Sequence, residues 1–286
     1  MKIVFYVWKQ SSTQMLKDMQ TGVKPKSVIF ELSENLLTQY TNKILISKYD
    51  VYQHLMDYWS EVMQDDCYII SIDGWKAETY RIQIVNKQKK VVDKGWTCDL
   101  VPKELVINRY FAKEKQAIEV MEAESETVAG QLIELEEEHS GEEGYFADLD
   151  KVSKGNIQAR LKQIHGNVKD KEEIQILKSY LALTNKLADT NKEIKEASVE
   201  LDHKLYAKYP TLTVDEIKTL VVDDKWMATI ENEIHTEMDR ISQRLTQRIK
   251  ELAERYEIPM PKLMDEVREL EQKVNAHLER MGFVWN

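Results

Sequence analysis

The sequence IENEIHTEMDRISQRLTQRIKELAERY, residues 230–256, is the part of the chain that decides its fold. Its apolar residues recur with a period of eleven positions and form one stripe along a nearly straight helix. The stripe consists of Ile230, Ile234, Met238, Ile241, Leu245, Ile249, Leu252 and Tyr256. Such a stripe is expected to pack against other helices, which can belong to this chain or to a partner.

A second amphipathic helix is predicted after the sequence Ile258-Pro-Met-Pro261, which we interpret as a hinge. Its apolar residues have nearly heptad spacing and are Leu263, Val267, Leu270, Val274, Leu278 and Met281. Thr213 and Glu216 have the spacing of a capping box, which predicts a helix start. Gly282 is expected to end the second helix in the left-handed conformation. Residues 211–286 are therefore predicted to form a C-terminal pair of amphipathic helices.

The composition of the 286-residue chain favours long helices with solvated faces. Nine glycines and five prolines are few for this length, and 31% of the residues are charged. The formal net charge is −10, and residues 101–150 alone contain 4 Lys+Arg and 14 Asp+Glu. Because the remaining residues sum to zero, the acidic balance does not exclude contact with a phosphate backbone.

Residues 1–101 are predicted to form a helical module with a small antiparallel β-meander. Residues 1–8 favour a strand, and the polar residues 9–24 favour a loop. Two helices are expected next, over residues 28–40 and 49–64, the second with Ser47 and Asp50 in capping-box spacing at its start. The apolar run 67–72 begins a change to the strand period, and the alternation over residues 79–84 indicates a half-buried strand.

Residues 102–210 are predicted to form a long, acidic, antiparallel coiled-coil hairpin. The core positions of its first helix are Ile118, Met121, Ser125, Val128, Leu132 and Leu135. Those of its second helix are Ile174, Leu177, Leu181, Leu187, Ile194, Leu201 and Leu205, and polar Asn191 and Ser198 lie between them. Asn191 either fixes the register or is merely tolerated. The predicted fold class is thus mainly α, in three parts.

Few residues suggest chemistry at a site. Cys67 and Cys98 have no second pair, so we expect reduced thiols rather than a disulfide framework or a zinc site. His54 with Asp57, and His235 with Asp239, have helical spacings that suit a metal or an acid–base pair. Isolated pairs of this kind are common on ordinary helices, so no metal or catalytic site is predicted.

Adjacent carboxylates occur at Asp65-Asp66 and Asp223-Asp224, and we interpret both pairs as helix termini or turns. The five aromatic residues Trp59, Tyr68, Trp75, Tyr80 and Trp96 are predicted to form a core around the meander rather than a base-stacking platform.

Arg240, Arg244 and Arg248 fall on one helical face. They suit contacts to DNA phosphates, but the favoured interpretation is a solvated face that is paired to acids such as Glu237 and Glu251 or to the acidic arm around Glu134 to Glu138. Lys87, Lys89 and Lys90 form a basic tip that is a weaker candidate for DNA contact.

Four runs resemble the C-terminal part of the modification (M) subunits of type I restriction-modification systems. They are YDVYQHLMDYW at residues 49–59, MQDDCY at 63–68, LVVDDKW at 220–226 and LAERYEIPMPKL at 252–263. The resemblance extends from about residue 25 to the end of the chain. It would make residues 1–101 the C-terminal edge of the methyltransferase region.

Membership of that family implies a cytoplasmic adenine-N6 DNA methyltransferase that uses S-adenosylmethionine. It implies two M subunits joined to one specificity (S) subunit that reads the DNA, a restriction subunit that can add to this complex, and no membrane. The C-terminal helices are then expected to dock on the helical spacers of the S subunit. The expected docking residues are Ile230, Ile234, Met238, Ile241, Leu245, Ile249, Leu263, Val267, Leu270 and Val274.

The chain departs from that family in its catalytic motifs. Adenine methyltransferases need an Asn/Asp-Pro-Pro-Phe/Tyr loop for the flipped adenine and a Gly-rich turn for the cofactor. This sequence contains no Pro-Pro pair and no Gly-x-Gly. The chain alone is therefore predicted to be inactive and to bind no cofactor, with S-adenosylmethionine implied only for the full-length subunit. The alternative is an independent coiled-coil adaptor.

Overall fold

The computed structural model describes residues 2–43, 46–85, 91–141, 144–147, 149, 151–164, 171–257 and 259–283. These residues form a mainly helical structure with a small two-stranded antiparallel sheet, which confirms the predicted fold class at that level. The chain separates into two compact units. The first comprises Met1–Ser71 with Trp226–Asn286, and the second comprises Ile72–Lys225.

Helices make up most of the chain, and one β-ribbon interrupts their succession. The elements up to the ribbon are α1 (Lys2–Lys17), α2 (Pro25–Gln39), α3 (Lys48–Tyr58), a π-helical turn (Trp59–Met63), α4 (Gln64–Asp73), β1 (Tyr80–Val85) and β2 (Val91–Thr97). Next come α5 (Lys103–Tyr110), α6 (Ala112–His139), α7 (Lys154–Gln163) and α8 (Lys171–Lys208). The last are a 3-10 turn (Tyr209–Thr211), α9 (Val214–Lys218), a π-helical segment (Thr219–Met227), α10 (Ala228–Arg255) and α11 (Met260–Arg280).

The N-terminal segment is helix α1, so the predicted strand over residues 1–8 is wrong, and the predicted loop over residues 9–24 is wrong for residues 9–17 and confirmed for residues 18–24. Phe5, Trp8 and Leu16 are buried together with Ser12, and the spacings of 3, 4 and 4 place all four on one helical face. The Trp8 indole donates to the Leu32 carbonyl at 3.3 Å. Burial with helical period has thus outweighed the strand propensity of the β-branched and aromatic residues.

Helices α2 and α3 confirm the next two predictions. Val28, Leu32 and Leu36 are all buried on α2. The Ser47 hydroxyl accepts a hydrogen bond from the Tyr49 amide at 3.2 Å and caps α3. Through the π-helical turn α3 continues into α4, so the change to strand period at residue 67 is wrong.

In the second unit, β1 and β2 form an antiparallel ribbon rather than a larger meander. Trp96 anchors this ribbon. Its ring lies edge-on to Tyr206 at 5.1 Å and to Tyr209 at 5.0 Å, and its indole donates to Asp202 at 2.9 Å. The Lys103 ammonium lies 3.8 Å from the ring centroid, a cation–π contact. An isolated two-stranded ribbon is only marginally stable, so these contacts hold it in place.

Helices α6 and α8 pack against each other in antiparallel orientation. Three contacts show this orientation: Glu114 with Lys204, Glu124 with Lys186, and Glu136 with the Tyr180 hydroxyl. The residue number rises along α6 while that of the partner on α8 falls. Two of the three polar residues in the predicted core rows also meet, since the Ser125 hydroxyl lies 2.9 Å from Asn191 Oδ1. Beyond this pair, α7 adds Ile157 to an apolar cluster with Leu132, Phe146, Ile164, Leu177 and Tyr180.

The predicted capping box at Thr213 is present and is the centre of a larger polar cluster. The Glu216 carboxylate accepts from the Thr213 amide at 2.8 Å, and the Glu216 amide donates to the Thr213 hydroxyl. The same carboxylate accepts from the Tyr110 hydroxyl at 2.8 Å and from Lys208 at 3.2 Å. These hydrogen bonds, the Thr213 amide foremost, lower the pKa of Glu216 from 4.5 to about 2. Glu216 therefore ties α5 and α8 to the start of α9.

Replacing Glu216 with glutamine is expected to destabilise the chain by about 0.5–2 kcal/mol at neutral pH, as for other lost caps. Because the folded-state pKa lies below the unfolded one, the contribution is complete above pH 4.5 and is lost as pH falls towards 2. Urea unfolding at pH 7 and pH 3 should therefore show a smaller difference at pH 3. Asp215→Asn, which changes an exposed carboxylate in the same turn, is the control; an equal loss there would contradict a specific role for Glu216.

Candidate docking surface on the C-terminal helices

The N-terminal half of the α10 stripe is part of the core of the first unit. Ile230 is 1% exposed and Ile234 is 0% exposed. Beside them, Lys9 pairs with Glu231 at 2.6 Å. Both isoleucines were predicted to dock on a partner, but their burial within this chain removes them from the accessible surface.

Glu237 marks the end of this buried half. It is only 7% exposed, and Arg240 holds it with two hydrogen bonds, Nε to Oε2 at 2.7 Å and Nη2 to Oε1 at 2.6 Å. These bonds lower the pKa of Glu237, so its charge is retained. Met238 and Ile241, next to it on the stripe, are half-buried.

The C-terminal half of the stripe is exposed. Its large apolar side chains keep from 37% to 69% of their surface accessible and are Leu245, Ile249, Leu252 and Tyr256. On α11 every residue except half-buried Leu278 is exposed. We define the C-terminal apolar surface as Leu245, Ile249, Leu252 and Tyr256 of α10 with Leu263, Val267, Leu270 and Val274 of α11. Exposed apolar rows of this kind mark an interaction site.

The local sequence sets the ends of α11, because packing contributes little to it. Pro259 precedes the helix with φ −59° and ψ 142°, and Pro261 lies in the first turn, as predicted. Ile258 lies outside the described residues. Gly282 has φ +86°, its amide donates to the Glu279 carbonyl, and the Phe283 amide donates to the Leu278 carbonyl, both at 3.0 Å. This is a Schellman motif, and it confirms the predicted helix end.

The arginine row follows the same part of α10. Arg240 pairs with Glu237, and Arg248 pairs with Glu251 at 3.0 Å. These are the two acids that the paired-face interpretation named, although exposed pairs contribute little to stability. Contact of Arg240, Arg244 and Arg248 with DNA stays a prediction. Lys87, Lys89 and Lys90 lie outside the described residues.

The two histidines of the predicted pairs contact other residues of the first unit. His54 Nδ1 lies 3.5 Å from Glu233, and the His235 ring lies 6.4 Å from the ring of Phe5. Nowhere in the described ranges do three His, Cys, Asp or Glu side chains come together as metal ligands. Burial raises the pKa of the Cys67 thiol to about 12, which leaves it protonated and unreactive.

Asp66 has a role that the sequence interpretation missed. It is 4% exposed and accepts a hydrogen bond from the Trp226 indole at 2.8 Å, and Trp226 is itself fully buried. The Asp65-Asp66 pair lies inside a helical segment, so its interpretation as a terminus or turn is wrong. Asp223 and Asp224 likewise lie within the π-helical segment, where Asp224 pairs with Arg109. A buried indole usually needs a hydrogen-bond acceptor. The presence of Trp226 was therefore the signal in the sequence that a buried acceptor such as Asp66 was required.

The predicted aromatic core is also wrong for its two tyrosines, Tyr68 and Tyr80. The three tryptophans are buried, but both tyrosines are 49% exposed.

Comparison with known proteins gives no relative: no family model, no curated protein and no solved structure matches the chain. No helix among the described residues is long and apolar enough to cross a membrane.

Proposed function

We propose that this chain is the C-terminal assembly region of the M subunit of a type I restriction-modification system. In this role it docks on the helical spacers of the S subunit and helps to hold the methyltransferase complex, with its second M subunit and its restriction subunit, on DNA. The observation that carries the proposal is the C-terminal apolar surface. Two amphipathic helices present it, in a chain whose sequence runs resemble that family.

The chemistry of the surface suits helices as the partner. Its residues recur every three or four positions on both α10 and α11, which matches the ridges of a facing helix. Two partner helices laid along them would complete a four-helix arrangement and bury both stripes. The apolar residues recur about every 3.67 residues on α10 and about every 3.5 residues on α11. Both repeats allow a partner helix to stay in contact with the stripe over a long distance at a small crossing angle.

In this proposal the α6–α8 pair serves as an antiparallel coiled-coil hairpin. Its apolar rows face each other, and its acidic residues lie mainly on the outer faces. A row of carboxylates is repelled by DNA phosphates, so the hairpin is expected to point away from the duplex. The arginine row on α10 is the more suitable phosphate contact.

Co-purification with the S subunit of the same system tests this function. Ile249→Asp places a charge in the centre of the exposed stripe and is expected to weaken the complex at least about 100-fold, because an unpaired charge is costly to bury. The control is Gln243→Asp, on the opposite side of α10. Circular dichroism should be unchanged in both variants, since both positions are exposed.

Two results would contradict the proposal. Wild-type affinity of the Ile249→Asp variant would place the contact elsewhere on the chain. Failure of the unaltered chain to bind the S subunit at all would instead favour the independent adaptor.

A further inference from the structure

Two oppositely charged segments border the C-terminal apolar surface. Residues 240–250 on α10 contain four basic residues and no acidic residue. Residues 265–271 on α11 contain four acidic residues and one basic residue. The two helices that carry the exposed apolar stripes therefore carry complementary charge.

The charges lie where they would flank a contact between the two helices. Arg244 and Arg248 each precede a residue of the α10 stripe, Leu245 and Ile249. On α11, Glu266 precedes Val267 and Glu271 follows Leu270. Side chains one position away from an apolar seam reach across to the facing helix, as the flanking charges of coiled coils do. An α10 stripe is thus complementary in both hydrophobicity and charge to an α11 stripe.

Within one chain this contact is not made. The α11 stripe residues Leu263 and Val267 remain 40% and 53% exposed, and Leu245 on α10 remains 48% exposed. The connection between the helices contains Pro259 in an extended conformation, and proline restricts the reversal that would bring α11 back onto α10. Complementary helices that do not pack on each other within one chain are the arrangement that exchange between two copies satisfies.

We propose that a second copy of this chain covers the C-terminal apolar surface, with α11 of each copy packed on α10 of the other. Two-fold symmetry makes both contacts identical and closes the assembly at a dimer. This inference does not rest on the proposed function. In the absence of another protein, the second copy occupies the C-terminal apolar surface. An S subunit that docks on the same stripes would replace it.

Sedimentation equilibrium of the full chain over a range of concentrations tests the dimer. The unaltered chain is expected to show a monomer–dimer equilibrium, and Val267→Asp is expected to raise the dissociation constant at least about tenfold. Gln272→Asp, on the opposite side of α11, should leave it unchanged. A chain that stays monomeric at every concentration, or a dimer that Val267→Asp does not weaken, would overturn the proposal.

A charge exchange tests the pairing of α10 with α11. One variant carries Arg244→Glu with Arg248→Glu, and the other carries Glu266→Lys with Glu271→Lys. Each alone places like charges at both contacts and should dimerise less than the unaltered chain. Mixed, they restore opposite charges at both contacts, so native mass spectrometry should show heterodimers above the statistical proportion. Heterodimers at or below that proportion would refute the reciprocal pairing.

These measurements also separate the dimer from the proposed function. A dimer that fails to bind the S subunit would refute the function alone. A monomer that binds the S subunit through Ile249 would refute the dimer alone.

Discussion

Ile234→Ala is expected to lower the free energy of unfolding by about 2–5 kcal/mol, whereas Ile249→Ala should change it by no more than about 0.5 kcal/mol. The two isoleucines belong to the same stripe of the same helix. Ile234 is fully buried and Ile249 is 58% exposed, so only the first substitution opens a cavity. The large difference comes from tertiary packing, because the helix propensity and the lost methylene groups are the same at both positions.

Urea unfolding followed by circular dichroism and tryptophan fluorescence measures this difference. It should be carried out at a protein concentration where the chain is monomeric, so that self-association does not contribute. A destabilisation by Ile249→Ala as large as that by Ile234→Ala would mean that the C-terminal half of the stripe is covered within one chain. The definition of the docking surface would then be wrong.

The apolar stripe of α10 shows which features of the candidate docking surface the sequence could predict. Periodicity alone identified every apolar position from Ile230 to Tyr256, since helical spacing fixes which residues share a face. It did not show where the covered part ends. That boundary is set by α1 and α3, whose contacts with α10 include Lys9 with Glu231 and His54 with Glu233. Contacts across such sequence separations leave no trace in local spacing.

Local chemistry predicted the helix ends more successfully than the element types. The caps at Ser47 and Thr213 and the end at Gly282 involve residues within a few positions of each other, so the sequence contains the whole interaction. Residues 1–8 were assigned to a strand because valine, isoleucine, phenylalanine and tryptophan favour strands. Their helical form depends on the burial of Phe5 and Trp8 against distant residues, which propensity does not include.

The two π-helical segments explain further departures from the sequence prediction. A π turn inserts one residue into a helix and rotates the following face, so a strict 3.6-residue period fails across it. Trp59–Met63 precedes Asp66, and Thr219–Met227 contains Trp226. The carboxylate and the indole that form this buried hydrogen bond therefore lie next to one π-helical segment and within the other. π-helical turns are often found at functional sites. In this chain they accompany a buried polar pair, Asp66 with Trp226.

Removal of that pair is the second large effect. Asp66→Ala is expected to cost about 2–3 kcal/mol, because it removes the acceptor of the hydrogen bond from the buried Trp226 indole. Trp226→Phe is expected to cost a similar amount, since it removes the donor of the same hydrogen bond from a fully buried site. Asp65→Ala, at the exposed neighbouring carboxylate, should stay within about 0.5 kcal/mol and serves as the control.

The double variant decides whether the hydrogen bond itself is the cause. If each single substitution is harmful because it breaks the hydrogen bond between Asp66 and Trp226, the second substitution has no such bond left to break. The loss in Asp66→Ala with Trp226→Phe should therefore be smaller than the sum of the single losses by about 1–2 kcal/mol. Urea unfolding of the four proteins measures this coupling. Additive losses would mean that packing around each side chain, and not the bond between them, stabilises this part of the core.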